Sequence, residues 1–397
     1  MKKICILTHF SIYPPVYGGQ LRVYHLAEKL SAYFHVTVLS VSNILHKKYI
    51  LNVNSQFSII NNPQLLLSLP VGATFVTRLF ITEATFPFWL NMSPSLIRGV
   101  KDCAAESDIV ICENSYIYPF IDKLLTGREI IYDSENVDYL LKRDLSSNNI
   151  INKKFILPNI LAAERYACQK SKVVFATCRE DKENFIELYN ISPGKIHIVP
   201  NGVDTDEIKP CNAKDRSIAR KQLGINTSGI VSFIGSAHPP NIEAVEFIIS
   251  NIAPILSNYA FVIFGSVVER INFQHPSNVV LMKSTTKDMK DVVLKATDIA
   301  LNPMFHGSGT NLKVLEYLAA GLPIISTPIG VRGLDVDEQN HVILSPHNDF
   351  AEEIVRLFND DQMRRNLSYQ GRLLAEKQYN WKVIAANLAD YLNAAHR

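Results

Sequence analysis

The chain has 397 residues, of which 47% are hydrophobic and 20% are charged, and its formal net charge at pH 7 is +2. This length exceeds one ordinary core and predicts two domains, each able to bury a sizeable apolar interior. A nearly neutral charge without long lysine or arginine runs argues against a dedicated nucleic-acid binder.

The cysteine pattern is typical of neither a metal site nor a disulfide framework. No C-x-x-C pair and no paired histidine ligands accompany Cys5, Cys103, Cys112, Cys168, Cys178 and Cys211. We therefore expect reduced, mostly buried thiols and a cytoplasmic protein.

Apolar runs in the sequence are short. Residues 1–8 are too short for a signal peptide and no small-residue cleavage site follows them, so we predict a first strand there. No stretch reaches the ~18–20 uninterrupted apolar residues of a membrane-spanning helix. The nearest, residues 65–90, is interrupted by prolines, a glycine and charged residues. We favour ordinary packing of the first domain for this segment, with peripheral contact at the inner membrane face as the alternative.

The first half of the chain alternates short β-rich runs with helical patterns. The predicted strands are residues 3–8, 36–40, 109–112, 130–132 and 173–176. The predicted helices are residues 20–33, 94–107 and 155–170. This alternation predicts a parallel sheet covered on both faces, whereas residues 43–91 have no clean periodicity.

A second alternation begins at residue 230, after a turn near residues 201–212 that marks a domain boundary. Its predicted strands are residues 230–235, 260–264, 279–282, 299–302 and 324–326. Helical patterns occupy residues 213–223, 350–358, 362–378 and 381–392. The sequence thus predicts two Rossmann-like, doubly wound parallel-sheet α/β domains, residues 1–205 and 206–379.

A glycine-rich turn between two predicted strands is the most informative segment. It contains Gly307, Ser308, Gly309, Thr310 and Asn311, and Lys313 and Glu316 follow on the next helix. The glycines let the backbone approach a ligand, and the first helical turn offers N–H groups to phosphate. A cation and a carboxylate on one helix face suit a nucleotide's diphosphate and ribose. An ordinary turn followed by a solvated Lys/Glu pair is the alternative.

Two loops of the first half follow predicted strands, where open α/β sheets bind ligands. Gly18 and Gly19 follow the first strand and open a helix, either beside a ligand or as a plain tight turn. Glu135 and Asn136 follow the strand at residues 130–132. The Glu135 carboxylate would accept from a hydroxyl and serve as a base, or else this segment merely caps the next helix.

These segments resemble the retaining glycosyltransferases of the GT4 family, also called glycosyl transferases group 1. The family's donor-binding signature carries two glutamates separated by seven residues. Glu316 matches the second glutamate, whereas Ser308 stands at the position of the first. A branch of the family has Gly-Ser-Gly-Thr at this place, followed by Lys and then Glu.

The resemblance extends to loops in both halves of the chain. Gly18 and Gly19 match the family's Gly-Gly loop near the donor diphosphate. Asn136 matches the second residue of a His-Asn pair, and Glu135 stands where the histidine would be.

The loop after residues 230–235 resembles the same branch of the family. Gly235, Ser236 and Asn241, the last of which is predicted to start a helix, match that branch and are candidate donor-binding residues. The Arg/Lys pair common in the family is absent here, so Lys313 is the candidate cation for the leaving diphosphate. Lys313, Glu316 and Glu135 are the candidate catalytic residues.

The resemblance implies a GT-B fold whose two domains face a cleft that holds the donor. Residues 1–205 would form the acceptor side, residues 206–379 would bind the donor, and residues 380–397 would pack back on the first domain. It implies a retaining transfer from a nucleotide-diphosphate sugar to a glycan or lipid-linked acceptor in cell-surface polysaccharide-type biosynthesis. No cofactor besides this co-substrate is expected, and no metal, because no DxD-like pair or His/Cys metal spacing occurs.

Two alternatives from other functional classes stay open. A non-catalytic relative that binds nucleotide or a partner glycosyltransferase would explain the missing first glutamate and Arg/Lys pair. A sugar-nucleotide 2-epimerase has the same two-domain architecture, but the Gly-Ser-Gly-Thr segment fits such an enzyme poorly.

Overall fold

The computed structural model describes residues 1–43, 48–64, 79–81, 85, 88, 90–146, 149–284, 286–307 and 309–395. Most of the apolar segment 65–90 and the candidate Ser308 lie outside the described residues. The chain forms two compact units. The first unit comprises Met1–Pro200 with Ile384–Arg397, and the second comprises Asn201–Val383.

The first unit is built on an eight-stranded sheet. Its strands are β1 (Lys3–Thr8), β2 (His35–Asn43), β3 (Tyr49–Asn52), β4 (Phe57–Gln64), β5 (Ile109–Glu113), β6 (Ile130–Asp133), β7 (Val174–Ala176) and β8 (Ile196–Ile198). They lie in the order β3-β4-β2-β1-β5-β6-β7-β8; β3 pairs antiparallel with β4, and the other pairs of these strands are parallel. The predicted parallel sheet is confirmed.

Strands β3 and β4 escaped the sequence prediction for a physical reason. Buried positions of β4 include Asn61 and Gln64, which interrupt the apolar alternation that marks a half-buried strand. Asn61 is tolerated inside because its Oδ1 accepts from Ser42 Oγ at 3.0 Å.

Helices flank the sheet of the first unit. They are α1 (Gly18–Leu30), α2 (Pro94–Ala105), α3 (Tyr118–Leu124), α4 (Asp138–Leu145), α5 (Leu157–Lys170) and α6 (Arg179–Tyr189). In α2 the buried residues Leu96, Val100 and Ala104 recur every four positions, so one apolar stripe faces the core. Pro94 suits the start of this helix because the first turn needs no N–H from it.

The second unit contains a six-stranded parallel sheet. Its strands are β9 (Ile230–Ile234), β10 (Ala260–Phe264), β11 (Val279–Met282), β12 (Ile299–Asn302), β13 (Ile324–Ser326) and β14 (Ile343–Leu344). The order β11-β10-β9-β12-β13-β14 is that of a doubly wound dinucleotide-binding sheet. In such a sheet the strand order reverses between β9 and β12, and ligands bind at the carboxyl ends of these strands.

The helices of the second unit follow their strands closely. They are α7 (Ala213–Leu223), α8 (Pro239–Phe247), α9 (Lys287–Ala296), α10 (Leu312–Ala319), α11 (Phe350–Asn359) and α12 (Asp361–Leu374). The predicted helix start at Asn241 is wrong, because α8 begins at Pro239. Proline fits there because its fixed φ is already helical and its missing N–H is not needed.

The last helix, α13 (Trp381–Ala395), returns to the first unit. Its Tyr391 ring stacks on His197 with 3.9 Å between ring centroids. Within the part of the chain that the structure describes, no helix combines the length and the apolar composition needed to cross a membrane.

The expectation that all cysteines are reduced is wrong for one pair. Cys5 on β1 and Cys103 on α2 form a disulfide, with their Cα atoms 6.1 Å apart. They are 98 positions apart in sequence, so no spacing signal could reveal them. Packing of α2 against β1 brings them together. Cys112, Cys168 and Cys178 are buried cysteines outside this disulfide.

A glycine at the end of β10 generates a stability prediction. Gly265 has φ +110°, and a Cβ added to it would lie 2.3 Å from the carbonyl oxygen of Gly235. We expect Gly265→Ala to lower the free energy of unfolding by about 2–4 kcal/mol, because both the backbone conformation and the space exclude a methyl group. Urea unfolding would measure this loss. Gly307→Ala is the control, since no described residue lies within 4 Å of its added Cβ. Equal losses in both variants would refute the argument.

Candidate functional site

Two loops meet at the switch point of the second sheet. One follows β9 and leads through Gly235 and Ser236 into α8, and the other follows β12 and leads into α10. Because β9 and β12 are parallel neighbours, both loops leave the same edge. The contacts of Lys313 and Asn241 described below connect α10 with α8, so Lys313, Asn241 and Ser236 lie together.

Lys313 is the centre of this cluster. Its Nζ donates to Asn241 Oδ1 at 2.6 Å and lies 4.1 Å from the centroid of the Phe233 ring. Asn241 Nδ2 in turn donates to the Ser236 carbonyl oxygen at 3.1 Å. Burial lowers the pKa of Lys313 from 10.5 to about 7, and the nearby Glu316 only partly opposes this shift. A second negative group at this place would therefore favour the charged lysine.

The glycine-rich loop before α10 combines an exposed and a buried part. Gly307 is exposed, whereas Gly309 is buried and has φ +67°, a conformation that glycine adopts without strain. The Thr310 hydroxyl is buried, and it has no hydrogen-bond partner among the described residues. Such a hydroxyl is available to a ligand.

Asn311 has a structural task. It occupies the N-cap position of α10, yet its side chain makes no capping bond and Nδ2 donates to the Gly330 carbonyl at 2.9 Å. Its amide therefore holds the turn after β13 and leaves the first turn of α10 uncovered by a cap. Uncovered N–H groups at a helix start favour an anion.

Glu316 is held by a residue that the sequence analysis did not select. Its Oε1 forms an ion pair with Lys290 Nζ at 2.5 Å, and both side chains are partly exposed. Lys290 lies on α9, so only the packing of α9 beside α10 could reveal the pair. The simple picture of Lys313 and Glu316 as one solvated pair is wrong, because Lys313 is bound to Asn241 instead.

In the first unit, the predicted Gly-Gly loop meets Glu135. Gly18 and Gly19 form the first turn of α1, and a Cβ on Gly19 would lie 2.4 Å from both carboxylate oxygens of Glu135. The Glu135 carboxylate thus packs directly on the Gly19 backbone, and a larger residue here would have to displace it. Burial raises the pKa of Glu135 from 4.5 to about 7, and Arg22 opposes this shift. A carboxyl that titrates near neutral pH is suited to accept or donate a proton.

A buried ionic cluster lies next to this contact, and nothing in the sequence pattern predicted it. Arg22 Nη2 contacts Asp133 Oδ1 at 2.8 Å, and each side chain is 1% exposed. Arg22 also donates to the carbonyl of Val199 at 3.0 Å. Burial, and then Asp133, raise the pKa of Glu113 well above its usual range. One sequence feature is connected with this cluster: Arg22 lies beside Val23 and Leu26, which form the buried apolar stripe of α1.

The structure rejects the interpretation that the segment around Asn136 caps α4. The amides of Asp138 and Tyr139 donate to the Glu164 carboxylate of α5, at 2.7 and 3.0 Å. The Ser134 hydroxyl donates to the carbonyl of Asn136. Asn136 and Glu135 are therefore not needed to start this helix, which leaves their side chains for another role.

Comparison with known proteins matches two parts of the chain to family models. The model described as Glycosyltransferase Family 4 covers residues 139–207, and Glycosyl transferases group 1 covers residues 228–360. The D-inositol 3-phosphate glycosyltransferase of Xylanimonas cellulosilytica is 24% identical over 59% of this chain, which spans 60% of that protein. The UDP-Gal:alpha-D-GlcNAc-diphosphoundecaprenol alpha-1,3-galactosyltransferase of Escherichia coli is 28% identical over 50% of this chain, which spans 54% of that protein.

Other relatives match the whole chain. An uncharacterized 44.6 kDa protein in the cps region of Klebsiella pneumoniae is 22% identical over 98% of this chain and 99% of its own length. Sucrose-phosphate synthase from Thermosynechococcus elongatus has a TM-score of 0.75 at 15% identity and covers 100% of this chain and 99% of its own. Anabaena HepE, in complex with UDP and glucose, has a TM-score of 0.68 at 15% identity over 99% of this chain and 100% of its own.

The two doubly wound sheets and these structural neighbours define the class of protein, the GT-B glycosyltransferase fold. Within that class, the matches to the Glycosyltransferase Family 4 and Glycosyl transferases group 1 models make the chain a GT4-type glycosyltransferase. The resemblance read from the sequence is thus confirmed at the level of family and fold.

The raised pKa of Glu135 predicts a pH dependence of stability. Between pH 4.5 and about 7 the folded chain keeps a proton on Glu135 that the unfolded chain releases, so stability falls as pH rises through this window. Glu135→Gln should reduce this fall by up to about 1.4 kcal/mol per pH unit. Urea unfolding at several pH values would measure it. Glu129→Gln, at an exposed site, is the control. A Glu135→Gln curve parallel to the wild-type curve would contradict the assignment.

Proposed function

We propose that this chain transfers a sugar from a nucleotide-diphosphate sugar to a glycan or lipid-linked acceptor, with retention of anomeric configuration and without a metal ion. The observation that carries this proposal is the partly buried Lys313, held by Asn241 beside the uncovered first turn of α10. A cation and free N–H groups at a switch point are what a leaving diphosphate requires.

The donor would lie along the second unit's site. Its diphosphate would contact Lys313 and the backbone of Gly309 and Thr310, whose buried hydroxyl offers a further hydrogen bond. The Glu316 carboxylate would accept from the ribose hydroxyls, and Lys290 would orient it. Gly307, Gly235 and Ser236 supply the close backbone approach.

The chemistry then follows from charge separation. Departure of the nucleoside diphosphate places negative charge on the phosphate and positive charge on the sugar's anomeric carbon. Lys313 and the α10 dipole stabilise the phosphate charge, and the partly buried setting strengthens their effect. In the first unit, Glu135 would accept from a sugar or acceptor hydroxyl, beside Gly18, Gly19 and Asn136.

Substrate classes are proposed from the relatives. HepE is described in complex with UDP and glucose, and the Escherichia coli relative is named for UDP-Gal and a diphosphoundecaprenol acceptor. We therefore propose a uridine nucleotide as donor base and cell-surface polysaccharide biosynthesis as the setting. No cofactor beyond the donor is part of the proposal. In the described part of the chain, no three His, Cys, Asp or Glu side chains group as metal ligands.

Nucleotide titration tests this function directly. Without added metal, saturating UDP should stabilise the protein against thermal unfolding by about 2–4 kcal/mol, more than GDP, ADP or CMP do.

The wild type should bind UDP about tenfold or more tightly than 2′-deoxy-UDP, judged by Kd. Glu316→Gln should erase this preference, because a hydrogen bond from the ribose to a charged acceptor is lost. Lys283→Gln serves as the control at an exposed site. Absence of any nucleotide response would refute the donor site, whereas tight UDP binding without sugar transfer to any acceptor would support the non-catalytic alternative.

The lowered pKa of Lys313 predicts that diphosphate binding is linked to proton uptake. Above pH 7 the free site holds a mostly neutral lysine, and the bound diphosphate favours the protonated form. UDP affinity should therefore fall as pH rises from 7 to 9, by up to about tenfold per unit. Calorimetry in buffers of different ionisation enthalpy would count the protons. Lys313→Met should lose both effects, while Lys287→Met, an exposed neighbour on α9, should keep them. Proton uptake that persists in Lys313→Met would exclude this lysine as its source.

A further inference from the structure

A pocket of about 470 Å³ lies in the second unit, at the edge of the sheet opposite the candidate donor site. Asp298 and Pro323 line it, and they directly precede β12 and β13. The pocket therefore lies at the amino ends of these parallel strands, whereas the candidate donor site lies at their carboxyl ends. Pockets of this volume are large enough to hold small molecules.

The wall of this pocket carries an excess of positive charge. Its charged lining residues are four arginines and two aspartates, namely Arg216, Arg364, Arg365, Arg372, Asp298 and Asp361. Both carboxylates already have partners. Asp298 is paired with Arg220 and accepts from the backbone N–H of Ile230 at 2.8 Å, and Asp361 is paired with Arg364. The remaining charge of two guanidinium groups attracts an anion.

Two of the four arginines hold the wall together. Arg364 Nη1 donates to the carbonyls of Leu357 and Phe358, at 2.5 Å each. Arg372 Nη1 donates to the carbonyl of Ala319 at 2.6 Å, at the end of α10. These contacts fix α12 against α11 and α10, so the pocket is formed before any ligand binds.

The other two arginines have donors to spare. Arg216 Nε is buried without an acceptor among the described residues, and Arg216 Nη1 lies 3.5 Å from Asp298 Oδ1. Arg365 is exposed, and its side chain forms no ion pair or hydrogen bond within the described part of the chain. Tyr369 lies one helical turn after Arg365 on the same face of α12 and is 65% exposed. The pocket thus offers N–H donors beside an exposed aromatic ring.

We propose that this pocket binds a small phosphate ester. Arg216 and Arg365 donate to the phosphate oxygens, and the Tyr369 ring packs on the esterified sugar or nucleoside. Guanidinium groups match the geometry of phosphate, and a phosphate monoester near pH 7 carries almost two negative charges, equal to the excess on the wall. A nucleic acid strand is disfavoured, because it requires a long basic stripe and not a pocket of this size. The site is separate from the sugar transfer proposed above, since none of its residues belongs to the candidate donor site.

Thermal-shift titration of the full chain tests the proposal with inorganic phosphate, glucose 6-phosphate and AMP as probes. At least one ester should bind about tenfold more tightly than inorganic phosphate, because its ring contacts Tyr369. Glucose and adenosine, which have no phosphate, should give no shift at the same concentrations. Arg216→Gln and Arg365→Gln should each weaken the binding of every phosphate probe about tenfold or more, because a charge-assisted hydrogen bond is lost. Tyr369→Ala should remove only the advantage of the ester over inorganic phosphate.

Matched variants separate this pocket from other anion sites. Arg356→Gln removes an exposed arginine of α11, and Tyr33→Ala removes a tyrosine of the first unit that is 43% exposed. Both variants should bind the probes like the wild type, and so should Lys313→Met, which alters the candidate donor site. The proposal is overturned if the wild type does not respond to phosphate or if neither ester binds more tightly than inorganic phosphate. It is also overturned if binding is lost in Lys313→Met and kept in Arg216→Gln and Arg365→Gln, because the anion then lies in the donor site.

Discussion

A buried guanidinium organises the first unit. Arg22 and Asp133 are both shielded from water, and the arginine also binds backbone carbonyls after β8, so one side chain joins α1, β6 and the end of this unit. Removing one member of such a pair would leave an uncompensated buried charge, which costs about 3–5 kcal/mol. The position of α1, and with it the Gly18–Gly19 turn, depends on this pair.

The same pair explains the protonation of its neighbours. Glu113 and Glu135 face a region where one cation already has a carboxylate partner, and burial disfavours further negative charge. Both carboxyls therefore hold protons at higher pH than in water. Glu135 differs from Glu113 in that it is half-buried and borders the Gly19 backbone, whereas Glu113 is fully buried.

In the second unit, burial disfavours a positive charge, that of Lys313, just as it disfavours the negative charges of Glu113 and Glu135 in the first unit. Phe233 and Asn241 pack against Lys313, and burial destabilises its charged form. A bound anion would stabilise that charged form. Such a lysine is already positioned, so little reorganisation is needed when phosphate charge develops. The ion pair of Glu316 with Lys290 likewise holds a carboxylate in place, as the proposed contact with a ribose would require.

Much of the fold was predictable because it rests on local periodicity. Five of the six strands of the second sheet and most helices follow from apolar runs and 3.6-residue spacing, because the buried face of each element must be apolar; the two-residue strand β14 is too short to give such a pattern. The strand prediction failed where polar residues are buried in pairs. An example is Asn61 of β4, which is hydrogen-bonded to Ser42 of β2. The prediction of reduced cysteines failed at Cys5 and Cys103, whose pairing depends on helix packing alone.

The candidate site likewise has features that the sequence predicts and features that depend on tertiary contacts. The sequence by itself determined that glycine-containing loops follow β1, β9 and β12, that Lys313 and Glu316 follow the last of these loops, and that Glu135 follows β6, because these are matters of order along the chain. Only the tertiary structure decided the partners: Asn241 for Lys313, Lys290 for Glu316, and Gly19 and the Arg22 cluster for Glu135. These partners come from distant segments, and burial and charge at a site are sums over neighbours that sequence order does not specify.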